Sequence, residues 1–192
     1  MDFIALVIML FMVESALWNL PVFQVLTQHL TPDQYTREAL VAIIITIILM
    51  MMTAIGGQYV LDTLGISLAG INIGGGIVIL YMGFQMIVGH EFEDERTITP
   101  GNAGVKFAVP FLFGTGVCSI ILTHTPSVGV MPMLLAIGII NIVSFVIILF
   151  GIRILRKLGN FLNLLITLSG LYILVIGTES IMAGVKMFLG IC

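Results

Sequence analysis

The 192-residue sequence predicts a single all-α bundle of six transmembrane helices, on three observations. Mean hydropathy is +1.21, with 59% hydrophobic and 9% charged residues, and a water-soluble surface needs far more charge than that. The apolar stretches are continuous rather than alternating with polar residues, which points to helices and away from a β-barrel. Each can supply the ~20 residues that cross a bilayer, so six of them leave no length for a separate soluble domain. Residues 1–192 therefore read as one membrane domain.

The first span is expected from Phe3 to Leu26. Met1-Asp2 leads straight into Phe3–Val13 with no basic leader, so this stretch reads as a span and not as a cleavable signal. The second runs from Ala39 to Leu61 and the third from Ile66 to Val88. A polar linker follows at 90–103, containing His90-Glu91-Phe92-Glu93-Asp94-Glu95-Arg96. From Phe107 to Ile152 there is no Asp, Glu, Lys or Arg. That is too long for one span, and the turn-forming run His124-Thr125-Pro126-Ser127-Val128-Gly129 divides it into two. The sixth span runs from Phe161 to Ala183.

Orientation follows from the basic residues. Arg37, Arg96, Lys106, Arg153, Arg156 and Lys157 share one side, and Lys186 alone lies on the other. The positive-inside rule makes the first side cytoplasmic and puts both termini outside. The chain then divides into two three-helix halves of opposite topology, roughly 1–90 and 104–192, joined by a cytoplasmic linker. Inverted halves of this kind are typical of secondary transporters. A shift of 95 positions lays Gly170 on Gly75 and Gly184 on Gly89, and it lays Gly114-Thr115-Gly116 over Asn19-Leu20-Pro21.

Those last two clusters are helix breakers in the opening span of each half. Pro21 lacks an amide hydrogen and frees the carbonyl of Leu17. Pro110 and then Gly114-Thr115-Gly116 loosen helix four. Interrupted segments at corresponding positions of two halves are the best sequence pointer to a transporter's site. A broken helix offers amide hydrogens to a carboxylate and freed carbonyls to an ammonium or a cation. A Pro kink satisfied by neighbouring helices is the structural alternative.

Ionisable groups within spans are the other candidates. Glu14 lies about one turn before the Trp18-Asn19-Leu20-Pro21 interruption and ~18 Å along the helix from its outer end, near the midplane. It is placed to bind a coupling proton or ion, or else to hydrogen-bond a neighbouring helix. Glu179, nearer the outer end of span six, is a second coupling candidate or an interfacial side chain. Asp62 and His124 read as residues of the span mouths. Gly70 and Gly74 form a small-xxx-small contact face, within the bundle or between subunits of a homo-oligomer. Gly74-Gly75-Gly76 lacks the Gly-Lys-Ser/Thr of a phosphate loop.

No basic stripe exists for nucleic acid. Cys118 and Cys192 form no disulfide framework or metal pair. His29, His90 and His124 are scattered, no metal-ligand cluster is present, and the twelve methionines read as adaptable packing. No nucleophile, base and metal ligand cluster as an enzyme requires, so neither an enzyme nor a bound cofactor is expected. The expected partners are lipid and a small solute.

Three stretches resemble the MarC family (multiple antibiotic resistance protein C), which includes the SnatA-type small neutral amino-acid transporters. The first is Gly57-Gln58-Tyr59-Val60-Leu61-Asp62-Thr63-Leu64-Gly65-Ile66-Ser67-Leu68, continuing through Gly74-Gly75 to Gly83-Phe84. Asn19-Leu20-Pro21-Val22-Phe23 is similar to the family's first-helix motif, N-P-x-G-N-x-P-x-F. Ala108-Val109-Pro110-Phe111-Leu112-Phe113-Gly114-Thr115-Gly116 is similar to its A-I-P-L-x-A-G-P-G. Gly170-Leu171 and Gly184-Val185-Lys186 resemble the family's ending. The chain departs from the motifs at Ser15, Ala16, Trp18 and Thr115. It has Asn72 and Thr167 where the family carries intramembrane arginines.

The resemblance implies an inner-membrane carrier of a small neutral amino acid, glycine- or alanine-like, coupled to protons or sodium. Trp18, Asn19, Leu20, Pro21, Gly114, Thr115 and Gly116 would form its site, with Asn72 and Thr167 lining the cavity and Trp18 narrowing it. A non-transporting scaffold or partner subunit is the rival expectation, favoured by the loss of both arginines.

Overall fold

The computed structural model describes residues 2–88, 102–155 and 161–191. Most of the expected linker, with Arg96, Arg156 and Lys157, lies outside them, as does the side chain of Arg153. All regular structure among the described residues is helical. Five stretches are long and apolar enough to cross a membrane, and a sixth is added when one bent pair is taken as a single span.

Helices α1 (Phe3–Glu14) and α2 (Ala16–Thr27) together make the first span. They meet at Ser15, which adopts the left-handed conformation (φ 55°, ψ 32°). The interruption is thus at Ser15 and not at Trp18–Pro21 as the sequence suggested. Pro21 sits in the second turn of α2 without ending the helix.

Helix α3 (Pro32–Leu64) begins seven residues before its expected start. Thr31 caps it reciprocally with Gln34, and Pro32 takes the first helical position, where its missing N–H costs nothing. At 33 residues it is about 50 Å long, longer than the hydrocarbon core is thick. Helix α4 (Leu68–Val88) completes the first half.

The second half opens with α5 (Ala103–Phe107), which widens into a π-helical turn over Ala108–Leu112 around Pro110. After Phe113 and Gly114 the chain resumes as α6 (Thr115–Val128), with a bend of 56° across the break. This interruption stands where Gly114-Thr115-Gly116 placed it. The turn before α7 (Val130–Leu155) is shorter than expected. Helix α6 carries His124 and Pro126 within it, and the reversal falls to Gly129 alone (φ 89°). Helix α8 (Phe161–Leu189) closes the bundle.

The most extensive packing is between α4 and α8, which run antiparallel. Ala69, Gly76 and Gly83 on α4 face Gly184, Gly177 and Gly170 on α8, a rung every seven residues along both helices. A methyl placed on Gly83 would lie 2.6 Å from the Leu174 amide nitrogen, and one on Gly177 2.6 Å from that of Leu80. The backbones touch because no side chain separates them. Of the two contacts expected for Gly70 and Gly74, the one within the bundle is not made: both face outward, and a methyl on Gly74 would meet nothing within 4 Å.

Two apolar clusters hold the rest together. One gathers Phe23, Tyr35, Phe107, Leu112 and Ile148, with Phe23 packed on the Tyr35 and Phe107 rings at 5.1 and 4.7 Å. The other gathers Leu6, Leu10, Met50, Ile121, Met133 and Ile137. Both helix interruptions fall where the chain passes from one cluster to the other.

Candidate functional site: a hollow between two interrupted helices

An interrupted helix in lipid must find partners for its orphaned peptide groups. At the first break the side chains supply them. Ser15 Oγ donates to the Met12 carbonyl at 2.7 Å, and its hydroxyl pairs with that of Tyr172 at 2.8 Å. Asn19 Nδ2 donates to the Glu14 carbonyl at 3.3 Å and to the Phe111 carbonyl at 2.7 Å. Phe111 lies in the π-helical turn of the other interrupted helix, so one amide stitches the two breaks together. Gly116 allows the same approach from α6, where a methyl would lie 2.7 Å from Val13 Cγ1.

Between the breaks is a hollow of about 30 Å³ lined by Ser15, Asn19, Pro110, Gly114, Gly116 and Tyr172, with apolar walls from Val13, Ile79 and Ile176. It holds about two water molecules and no amino acid. The N-termini of α2 and α6 adjoin it, and neither cap residue, Ser15 nor Gly114, makes a side-chain cap hydrogen bond. Their first-turn amides are free donors by helix geometry.

A polar chain continues from the hollow's edge. The Thr115 hydroxyl pairs with that of Ser180 at 3.2 Å, and Ser180 Oγ lies 3.0 Å from the Asn72 carbonyl. Asn72 Nδ2 donates to Ser119 Oγ at 3.1 Å. Thr115 and Asn72 are therefore brought together through Ser180. Gly75 leaves room for this, since a methyl there would run into the Thr115 side chain.

Several expected residues are elsewhere. Thr167 is exposed on α8 and does not meet Asn72. The two helices run antiparallel, so a residue near the start of α4 faces the end of α8, and 167 lies near its beginning. Trp18 is 46% exposed and stacks on Tyr172 at 5.2 Å, outside the hollow and not across it. Leu20 is buried against Gly151 of α7, and Pro21 is buried beside it. Glu179 is exposed on α8 and does not line the hollow.

Glu14 is fully buried and does not line the hollow. The Ser144 hydroxyl of α7 faces it, and neither carboxyl oxygen makes a hydrogen bond. The residues that sequence reasoning missed are Tyr172, Phe111, Ser180, Asn141 and Ser144. All but Phe111 carry a polar group within an apolar span, and that group was the available signal. No group of three or more His, Cys, Asp or Glu placed to hold a metal ion is found among the described residues.

The model of the MarC family of integral membrane proteins matches residues 1–189. The chain belongs to the MarC family. A UPF0056 membrane protein of Pyrococcus abyssi is 25% identical over 98% of this chain and 96% of its own length. The UPF0056 inner membrane protein MarC of Escherichia coli K12 is 27% identical over 63% of this chain and 60% of its own length. The MarC protein of Shigella flexneri matches to the same extent. No solved structure matches. With its apolar spans and these relatives, the chain is a multipass inner-membrane protein.

Proposed function

We propose that this MarC-family protein is a secondary transporter of small neutral amino acids, glycine- or alanine-like, coupled to a proton or sodium gradient. It would be built as two inverted three-helix halves with both termini outside, and rocking of one half on the other would alternate access to the hollow. Each half runs as an interrupted helix followed by two long ones, and α3 packs on α7 as α4 does on α8.

The observation that carries the reading is the double role of Asn19. Its amide donates to carbonyls of both interrupted helices. A substrate ammonium offers the same kind of donor, so turning Asn19 aside frees two acceptors for it. The uncapped first turns of α2 and α6 suit the carboxylate at the other end of a zwitterion. The small volume fits a carrier that widens to load. It fits equally the rival reading, a scaffold whose breaks serve packing only, and flux separates the two.

Labelled glycine and alanine are followed into proteoliposomes with and without proton and sodium gradients. Gradient-driven uptake is expected for the native chain and is lost in Asn19→Leu. Absence of gradient-dependent flux of either amino acid would leave the scaffold.

A further inference from the structure

Glu14, Asn141 and Ser144 leave a set of oxygens without hydrogen bonds in the interior of the bundle. All three side chains are 0% exposed. Both carboxyl oxygens of Glu14, Oδ1 of Asn141 and Oγ of Ser144 have no partner. Asn141 and Ser144 are three residues apart on α7 and so share one face. The orientation of Asn141 is fixed, because its Nδ2 donates to the Ile137 carbonyl at 2.9 Å and to Met50 Sδ at 3.3 Å. That leaves Oδ1 as a free acceptor. None of Arg37, Lys106 and Lys186 is buried, so none of them neutralises Glu14.

An ionised carboxylate in the interior persists only with a compensating charge. A proton on Glu14, with the Ser144 hydroxyl's own hydrogen, satisfies the set only while Glu14 is neutral; once it ionises, one hydroxyl donor faces the remaining oxygens and a net charge is left. Water would supply donors but no charge. A hard monovalent cation answers both needs. The ligands are oxygen only, which excludes soft metals, and a single carboxylate is too little charge for the usual divalent site.

We propose that Glu14, Ser144 and Asn141 form a sodium site between α1 and α7, separate from the hollow that Asn19 bridges. It deepens the carrier reading by naming the coupling ion and its ligands. Because Glu14 ends α1 and Ser15 starts the break, a bound ion fixes the angle at which α1 meets α2.

The test uses the full chain in detergent and sodium chloride as the probe, with choline chloride holding ionic strength constant. Trp18 is the only tryptophan and lies one turn past Glu14, so its fluorescence reports the break. A saturable Trp18 change and a raised thermal midpoint are expected in sodium and not in choline. Glu14→Gln abolishes both, and Ser144→Ala weakens sodium binding roughly tenfold, whereas Gly74→Ala binds as the native chain does. Identical behaviour in sodium and choline overturns the site, as does undiminished sodium binding by Glu14→Gln. A chain that binds sodium but moves no amino acid keeps the site and loses the carrier. A chain that carries amino acid equally well in choline does the reverse.

Discussion

The α4–α8 seam and the hollow between α1/α2 and α5/α6 meet the same demand in opposite ways. Lipid offers no hydrogen bonds, so every peptide group must be satisfied inside the protein. The seam does this with unbroken helices and removes side chains until the backbones touch at Gly76–Gly177 and Gly83–Gly170. The hollow breaks its helices and spends side chains, Ser15 and Asn19 foremost, on the peptide groups left over. The seam therefore has no tolerance for volume and the hollow none for lost polarity. A region built the first way holds its shape, and a region built the second way can exchange one donor for another.

The sharpest way to break this contrast is to add volume to the seam. Gly83→Val forces a branched side chain against the backbone of α8, where a methyl alone would sit 2.6 Å from the Leu174 nitrogen. About 3 kcal/mol of destabilisation is expected, read as a fall in the thermal midpoint in detergent or a loss of folded yield. Tolerance of valine there would mean that the seam is loose.

Asn19→Leu comes next. It leaves the Phe111 and Glu14 carbonyls without their side-chain donor, at about 2 kcal/mol, and its flux should vanish while folded protein is still recovered. Ser180→Ala removes the link between Thr115 and Asn72. About 1 kcal/mol is expected for it, measured by the same melt, with a larger loss in amino-acid flux than in stability. The smallest effect belongs to Gly74→Ala, which faces open space. It should change the midpoint by no more than about 0.5 kcal/mol equivalent, and a large loss would reveal a contact with a second copy of the chain.

Much of the fold was legible because a bilayer leaves few options. Continuous apolar runs gave the spans, and Pro110 with Gly114 marked the second interruption. The first break was misplaced because proline is the visible breaker, whereas the chain turns at Ser15, a residue whose left-handed conformation costs about 1 kcal/mol and is held by its bonds to Met12 and Tyr172.

A close contact within the bundle was one of the two readings of Gly70 and Gly74, on their four-residue spacing, while the seam within the chain repeats every seven. An antiparallel pair of nearly straight helices meets along a heptad stripe, and its second strand, Gly170, Gly177 and Gly184, lies a hundred residues away. Of the residues at the hollow and its edge, Asn19, Gly114, Thr115 and Gly116 were singled out from their own chemistry. Tyr172 and Ser180 were not, because what recruits them is the position of α8, which no local pattern encodes. Thr167 was expected beside Asn72 in the cavity on the family resemblance, and the antiparallel arrangement of α4 and α8 separates them.

A ladder with equal steps has no preferred alignment of its own. Sliding α8 along α4 by one repeat, ~10 Å at the helical rise, would in one direction set Gly76 against Gly184 and Gly83 against Gly177, glycine against glycine at both remaining steps. What singles out one alignment is the polar pin set into the ladder: Ser180 seated on Asn72 and tied to Thr115. Small residues thus decide how near the two rods come, and a serine and an asparagine decide where along their length they stop.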